Sequence, residues 1–194
     1  MSSEEPNVCN ELADLCGSMN IKCLVQVGAE NGFEASFIQK KTGCEAVCID
    51  GDTRCKPIEG NVKYFHEVIG ATDGPGMFYV NPNHGLSSQI QREEDPGFYV
   101  QEQRLDTFCE KNGIAPDALI IDTEGTTMEV LEGATRILDG VRMIYAECQT
   151  HVIRPGIRLL GEIDAFLVAR GFTRRDGPPS YSCGSQGNYT WVRK

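Results

Sequence analysis

The sequence predicts a doubly wound α/β fold with a mostly parallel sheet, and three observations carry that prediction. Apolar runs of strand length alternate with amphipathic runs of helix length, the pattern of parallel strands joined by right-handed crossovers. The first run, Leu24-Val25-Gln26-Val27, breaks into a glycine turn, Gly28-Ala29-Glu30-Asn31-Gly32. The second, Ala46-Val47-Cys48-Ile49, ends on a carboxylate, Asp50. Strands buried on both faces read as continuous apolar runs of this kind.

The elements follow in order. Val8, Leu12, Leu15 and Cys16 recur at helical spacing, so residues 7–20 predict a helix that Gly17 closes, within an N-terminal segment 1–21. Strand one covers 22–28, a helix 32–41 stops at Thr42-Gly43, and strand two covers 45–50. A short helix near 53–58 leads to strand three at 62–69. The pattern then changes. Turn signals at Asp73-Gly74-Pro75-Gly76, Asn81-Pro82-Asn83 and Asp95-Pro96-Gly97 predict a hairpin and loop insertion over 71–104. A helix at 104–112 precedes strand four, 118–122; helix 126–138 ends at Asp139-Gly140; strand five covers 142–148. A helix at 156–170 is capped by Gly171, and segments 172–174 and 188–192 read as closing strands joined through Gly177-Pro178-Pro179, one of them antiparallel. With no repeat, linker or low-complexity tract, residues 1–194 predict one domain.

Bulk composition narrows the function classes. A chain of 194 residues with a net charge of -10 is a poor binder of nucleic acid, where Lys and Arg must neutralise phosphates. No apolar run approaches the roughly 20 residues of a membrane span. The start, Met1-Ser2-Ser3-Glu4-Glu5-Pro6, is acidic where a secretion signal is basic and then apolar, which predicts a cytoplasmic protein. The nine cysteines are odd in number and form no C-x-x-C pair, so reduced thiols are expected and no metal site is assigned.

The glycine turn and Asp50 predict a nucleotide-like cofactor. Glycine lets a ligand approach bare backbone, and a carboxylate about 20 residues on accepts hydrogen bonds from ribose hydroxyls. The dinucleotide fingerprint G-x-G-x-x-G is absent, and Glu30 in the turn repels a pyrophosphate but attracts an ammonium. S-adenosylmethionine, which carries a ribose, an ammonium and a sulfonium but no phosphate, suits this turn better than NAD. Gly28, Ala29 and Gly32 then shape the methionine pocket, with Glu30 at the ammonium. Strand four ends on Asp122 with Glu124 just beyond, and strand five ends on Glu147, on the same edge as Asp50. Asp122, Glu124 and His151 are candidate bases; His84 and Ser87 of the insertion and Glu147 are candidate acceptor contacts. The three acids are also the hard ligands a divalent cation would require. Phe98 and Tyr99 offer an apolar wall.

Taken together these residues resemble the FkbM family of S-adenosylmethionine-dependent methyltransferases over roughly residues 24–150. The resemblance rests on Val25-Gln26-Val27-Gly28-Ala29 with Gly32 and Ser36 after it, the acidic end of strand two, and Ile69-Gly70-Ala71. Leu86-Ser87-Ser88 and Leu105-Asp106-Thr107-Phe108 also match. Its most specific element is Asp122-Thr123-Glu124-Gly125 followed by Val130-Leu131-Glu132-Gly133-Ala134. Gln26 stands where the family commonly has Asp, Glu30 where it has Asn, Gly51 where it has Pro and Ile120 where it has Lys. The resemblance implies a Rossmann-like class I methyltransferase fold, cofactor contacts that include Ser36, Gly51 and Ala71, and O-methylation of a hydroxyl on a small molecule, sugar or glycan. A catalytically inactive cofactor-binding or protein-interaction module of the same fold is the alternative.

Overall fold

Among the described residues the alternation of runs becomes helices α1 (Glu5–Ser18), α2 (Phe33–Thr42), α3 (Leu105–Asn112), α4 (Thr127–Glu132) and α5 (Leu160–Val168) and eleven strands. The strands are β1 (Cys23–Val27), β2 (Glu45–Asp50), β3 (Lys63–His66), β4 (Val68–Gly70), β5 (Gly74–Tyr79), β6 (Gly97–Arg104) and β7 (Ala118–Ile121). Beyond them lie β8 (Met143–Gln149), β9 (Thr173–Arg174), β10 (Ser182–Cys183) and β11 (Gln186–Val192). The structure, a computed structural model, describes residues 5–58, 60–83, 85–91, 95–176 and 182–193.

The main sheet runs β10-β11-β8-β7-β1-β2-β3, with β9 also paired to β11. β3, β2, β1, β7 and β8 are parallel, and β11 returns antiparallel to β8. Strand order reverses at β1, between β2 and β7, so a crevice opens there outside the carboxyl ends of the strands. Every residue of β1, β7 and β8 is buried, as strands covered on both faces require. One face packs Val25, Val27, Leu119, Ile121 and Ile144 against Phe108, Leu131 and Leu167. The other packs Leu24, Cys48, Ile120 and Met143 against Leu12, Cys16 and Ile38. Cys16, Cys48, Cys109 and Cys148 are free and buried in these layers, and burial pushes the Cys16 and Cys48 thiols up to about 12.

The insertion is the expected hairpin: β5 pairs antiparallel with β6, Gly74 opposite Glu102 through Tyr79 opposite Gly97. It takes part of strand three with it. That strand splits at Glu67, because β4 turns away from β2 to pair with β6 in a separate three-stranded sheet, order β4-β6-β5.

Three other expectations change. No helix forms at 53–58. The Asp52 carboxylate accepts the Arg54 N–H at 3.0 Å and the Asp52 carbonyl accepts Cys55 N–H at 3.0 Å, a side-chain-fixed turn, and Pro57 has no N–H to continue a helix. The expected helix 126–138 stops at Glu132 and resumes only as a 3-10 turn, Ile137–Asp139. Gly133 lies so close to the Gly70 carbonyl that a Cβ there would come within 2.1 Å of its oxygen, and Asp106 caps the second turn through Arg136 and Ile137 N–H. The closing strands are three rather than two, and the Gly177-Pro178-Pro179 loop lies outside the described residues. Among the described residues no helix is long and apolar enough to cross a membrane.

Candidate active site

The crevice opens at the carboxyl ends of β1, β2 and β7, with about 740 Å³ of free space when the open solvent at its mouth is included. Gly28 forms its floor with φ +75, packed so closely on strand β7 that a Cβ would lie 1.7 Å from the Asp122 carbonyl oxygen. Only glycine fits, and the bare backbone is left facing the ligand space. Asp50 braces this turn. One carboxylate oxygen accepts the Glu30 N–H at 2.7 Å and the other the Asp52 N–H at 2.8 Å. Each oxygen keeps a second lone pair for a ligand hydroxyl. Burial raises the Asp50 pKa, opposed by those two N–H groups. Glu30 holds a left-handed backbone, φ 45, secured also by the Tyr64 hydroxyl, which donates to its carbonyl.

Around this floor stand six carboxylates, Glu30, Glu34, Asp50, Asp52, Glu67 and Asp122, with no Lys, Arg or His lining it among the described residues. Val68, Ile69 and Phe78 supply an apolar wall. Such a crevice opposes phosphates and favours a ligand that carries positive charge and ribose hydroxyls. These are the demands of S-adenosylmethionine, so the residues present fit that group.

Asp122 stands at the crevice with its side chain solvent-exposed, while protein packs densely around its carboxyl group. Burial first, then the carboxylates of Glu147, Glu124, Glu34 and Asp50, raises its pKa well above the ordinary carboxylate value. Oxygens of Asp122, Glu124 and Glu147 all lie within 4.8 Å of one another. Glu147 is 6% exposed, and its two oxygens accept the side-chain amides of Gln149 at 3.1 Å and Gln186 at 2.7 Å. With no cation in the crevice lining, the group is suited to share a proton.

The structure thus brings together Gly28, Ala29, Glu30, Asp50, Gly51, Ser87 and Asp122 at the crevice, with Glu124 and Glu147 beside Asp122. It does not bring Gly32, Ser36, Ala71 or His151 to the crevice lining. Gly32 caps α2, Ser36 is buried within that helix, and Ala71 follows β4. His151 is exposed beyond β8, with Nδ1 3.0 Å from the Thr150 hydroxyl, so the expected base role loses its geometric support. His84 lies outside the described residues. Phe98 and Tyr99 are 53% and 90% exposed, on β6 away from the lining.

Several lining residues had no mark in the sequence, Glu34, Asp52, Glu67 and Gln89, and Gln26 was marked only as a departure from the family pattern. Gln26 is 2% exposed; it donates to Glu34 at 3.0 Å and accepts the Ala35 N–H at 3.1 Å, tying β1 to the start of α2. Its neighbour in register across β7 is Ile120. Two departures from the family pattern are therefore side by side. They are an amide and an alkyl group, Gln26 lining the crevice and Ile120 buried in the core beside it.

Comparison with known proteins agrees with this geometry. Residues 26–174 match the family described as Methyltransferase FkbM domain. No curated protein matches the chain. Magnesium protoporphyrin IX methyltransferase from Synechocystis PCC 6803, solved with bound SAM, is similar with a TM-score of 0.58 at 8% identity, over 98% of this chain and 80% of that one. An O-methyltransferase from Bacillus cereus in complex with SAH is similar with a TM-score of 0.55 at 11% identity, over 97% and 81%. At such identities the likeness establishes the fold, the Rossmann-like class I methyltransferase fold.

Proposed function

The chain belongs to the FkbM methyltransferase family, a methyltransferase that uses S-adenosylmethionine, and from that premise we propose that it methylates a hydroxyl oxygen of an uncharged small molecule, sugar or glycan. The observation that supports this reading is Asp122, a carboxylate with a raised pKa at a crevice whose described lining holds no Lys, Arg or His. When bound, S-adenosylmethionine supplies a methyl group activated on a sulfonium. The chain's own contribution is charge and position. Asp50 accepts the ribose hydroxyls, Glu30 and Glu34 hold the positive end, and Gly28 leaves room for close approach. Asp122 takes the acceptor's proton, and a base with a pKa raised toward the working pH is the efficient kind. Glu147 and Glu124 keep that pKa high, and Glu147 with its two amides can bind further acceptor hydroxyls. Anionic acceptors are repelled by the carboxylates of Glu30, Glu34, Asp50 and Glu67 that line the crevice. The free, buried thiols suit the reducing cytoplasm.

The test is formation of S-adenosylhomocysteine against a panel of neutral glycosides, polyols and phenols, with their phosphorylated counterparts alongside. Turnover with a neutral hydroxyl compound and none with its phosphate is the expected result. Turnover only with phosphorylated or amine acceptors would overturn it. Donor binding with no turnover on any acceptor would favour the inactive module.

A further inference from the structure

Two residues beyond Asp50 stands a second aspartate that the chemistry above does not use. Asp52 is 2% exposed. Arg54 grips its carboxylate as a fork, Nε at 2.9 and 3.2 Å and Nη2 at 2.6 Å. The Ser87 hydroxyl, 35 residues further along in the insertion, donates to the same carboxylate at 2.8 Å. Ser87 in turn accepts the Asn81 N–H at 3.1 Å, Arg54 Nη2 donates to the Asn81 carbonyl at 2.5 Å, and the Asn81 amide donates to Asp95 at 2.9 and 3.0 Å. On its other side, the Asp52 backbone N–H is one of the two donors that fix the Asp50 carboxylate, at 2.8 Å.

One residue therefore joins the ribose-facing carboxylate to the insertion that walls the opposite side of the crevice. We infer that Asp52 is a positioning residue for the methyl donor: its N–H aims Asp50, and its side chain latches the Ser87–Ser88 segment against the cofactor crevice. This rests on the reading of Asp50 as the ribose acceptor. Charge-assisted, forked contacts are the rigid kind, and Arg54 supplies the fork. The Ser87 hydroxyl is committed to this latch as both donor and acceptor, which makes it a wall rather than an acceptor contact.

Calorimetric binding of S-adenosylmethionine to Asp52→Asn, Ser87→Ala, Asp50→Asn and the Asp50→Asn/Asp52→Asn double variant, with kcat and KM for each, tests the inference. Asp52→Asn is expected to weaken donor binding about tenfold and to raise its KM in step, with kcat at saturating donor changed less than about twofold. Ser87→Ala is expected to cost about threefold in the same sense, and it decides the matter if Asp52→Asn does not fold. The double variant is expected to lose less than the two single losses combined, because part of the Asp52 effect runs through Asp50. Wild-type binding in both Asp52→Asn and Ser87→Ala, or fully additive losses in the double variant, would overturn the inference while leaving the ribose reading intact. Wild-type binding in Asp50→Asn would remove both.

Discussion

Asp117 and Asp122 flank the same four-residue strand, β7, yet they have opposite fates. At the amino end Asp117 accepts the backbone N–H of Lys22 at 3.0 Å and of Cys23 at 2.9 Å, and the Arg142 guanidinium at 2.9 Å. Burial raises its pKa, but those donors outweigh burial and leave it below the ordinary value. At the carboxyl end burial, with the acids Glu147, Glu124, Glu34 and Asp50, drives the Asp122 pKa up. The same residue type flanking the same strand is a staple at one end and, in the function proposed above, a proton acceptor at the other. What differs is whether the neighbours donate.

That contrast breaks most sharply under Asp122→Asn. Turnover is expected to fall about 10²- to 10⁴-fold, the usual contribution of a general base, while donor binding persists and the melting temperature is unchanged or higher. Steady-state rates with thermal melts check both halves. Next in size is Asp50→Ala, expected to weaken S-adenosylmethionine binding roughly tenfold to a hundredfold, the loss of a charged hydrogen-bonding group, as read by calorimetry. Asp117→Asn should do the reverse of Asp122→Asn. It is expected to lower stability by about 1–2 kcal/mol in urea melts and leave kcat near wild type. Because the folded pKa of Asp117 is depressed, its stabilisation is present above the unfolded value of about 3.9 and is lost as pH falls through the folded value, so the two proteins should converge in strong acid. The smallest effect concerns the clustered acids Asp122, Glu124 and Glu147: EDTA is expected to leave activity unchanged, and a loss restored by Mg²⁺ would replace the shared proton with a cation.

The sequence shows this fold well wherever burial is symmetrical. β1, β2, β7 and β8 announce themselves as apolar runs because both faces are covered, and Asp50 and Asp122 follow from chemistry carried at strand ends. Elements decided by tertiary partners were not legible. The split at Glu67 depends on β6, more than thirty residues away in sequence, and the break at Gly133 depends on the Gly70 backbone. Asp52 cancels the helix expected at 53–58 by a side-chain bond that propensity cannot show, although Asp50-Gly51-Asp52 was itself a turn signal. Glu34 and Gln89 reach the crevice only by folding, and nothing local marks them. Gln26 and Ile120 were visible as departures; only the register made them neighbours.

The pH dependence of single-turnover methyl transfer, measured for the wild-type protein and for Glu147→Gln, bears most directly on the role of Asp122. A base works deprotonated, so a raised pKa means that rate is lost as pH falls through a value above the ordinary carboxylate range. Glu147→Gln removes the nearest-acting like charge and should move that acid limb to lower pH. A wild-type limb at the ordinary carboxylate value, or one that stays in place in Glu147→Gln, would contradict it.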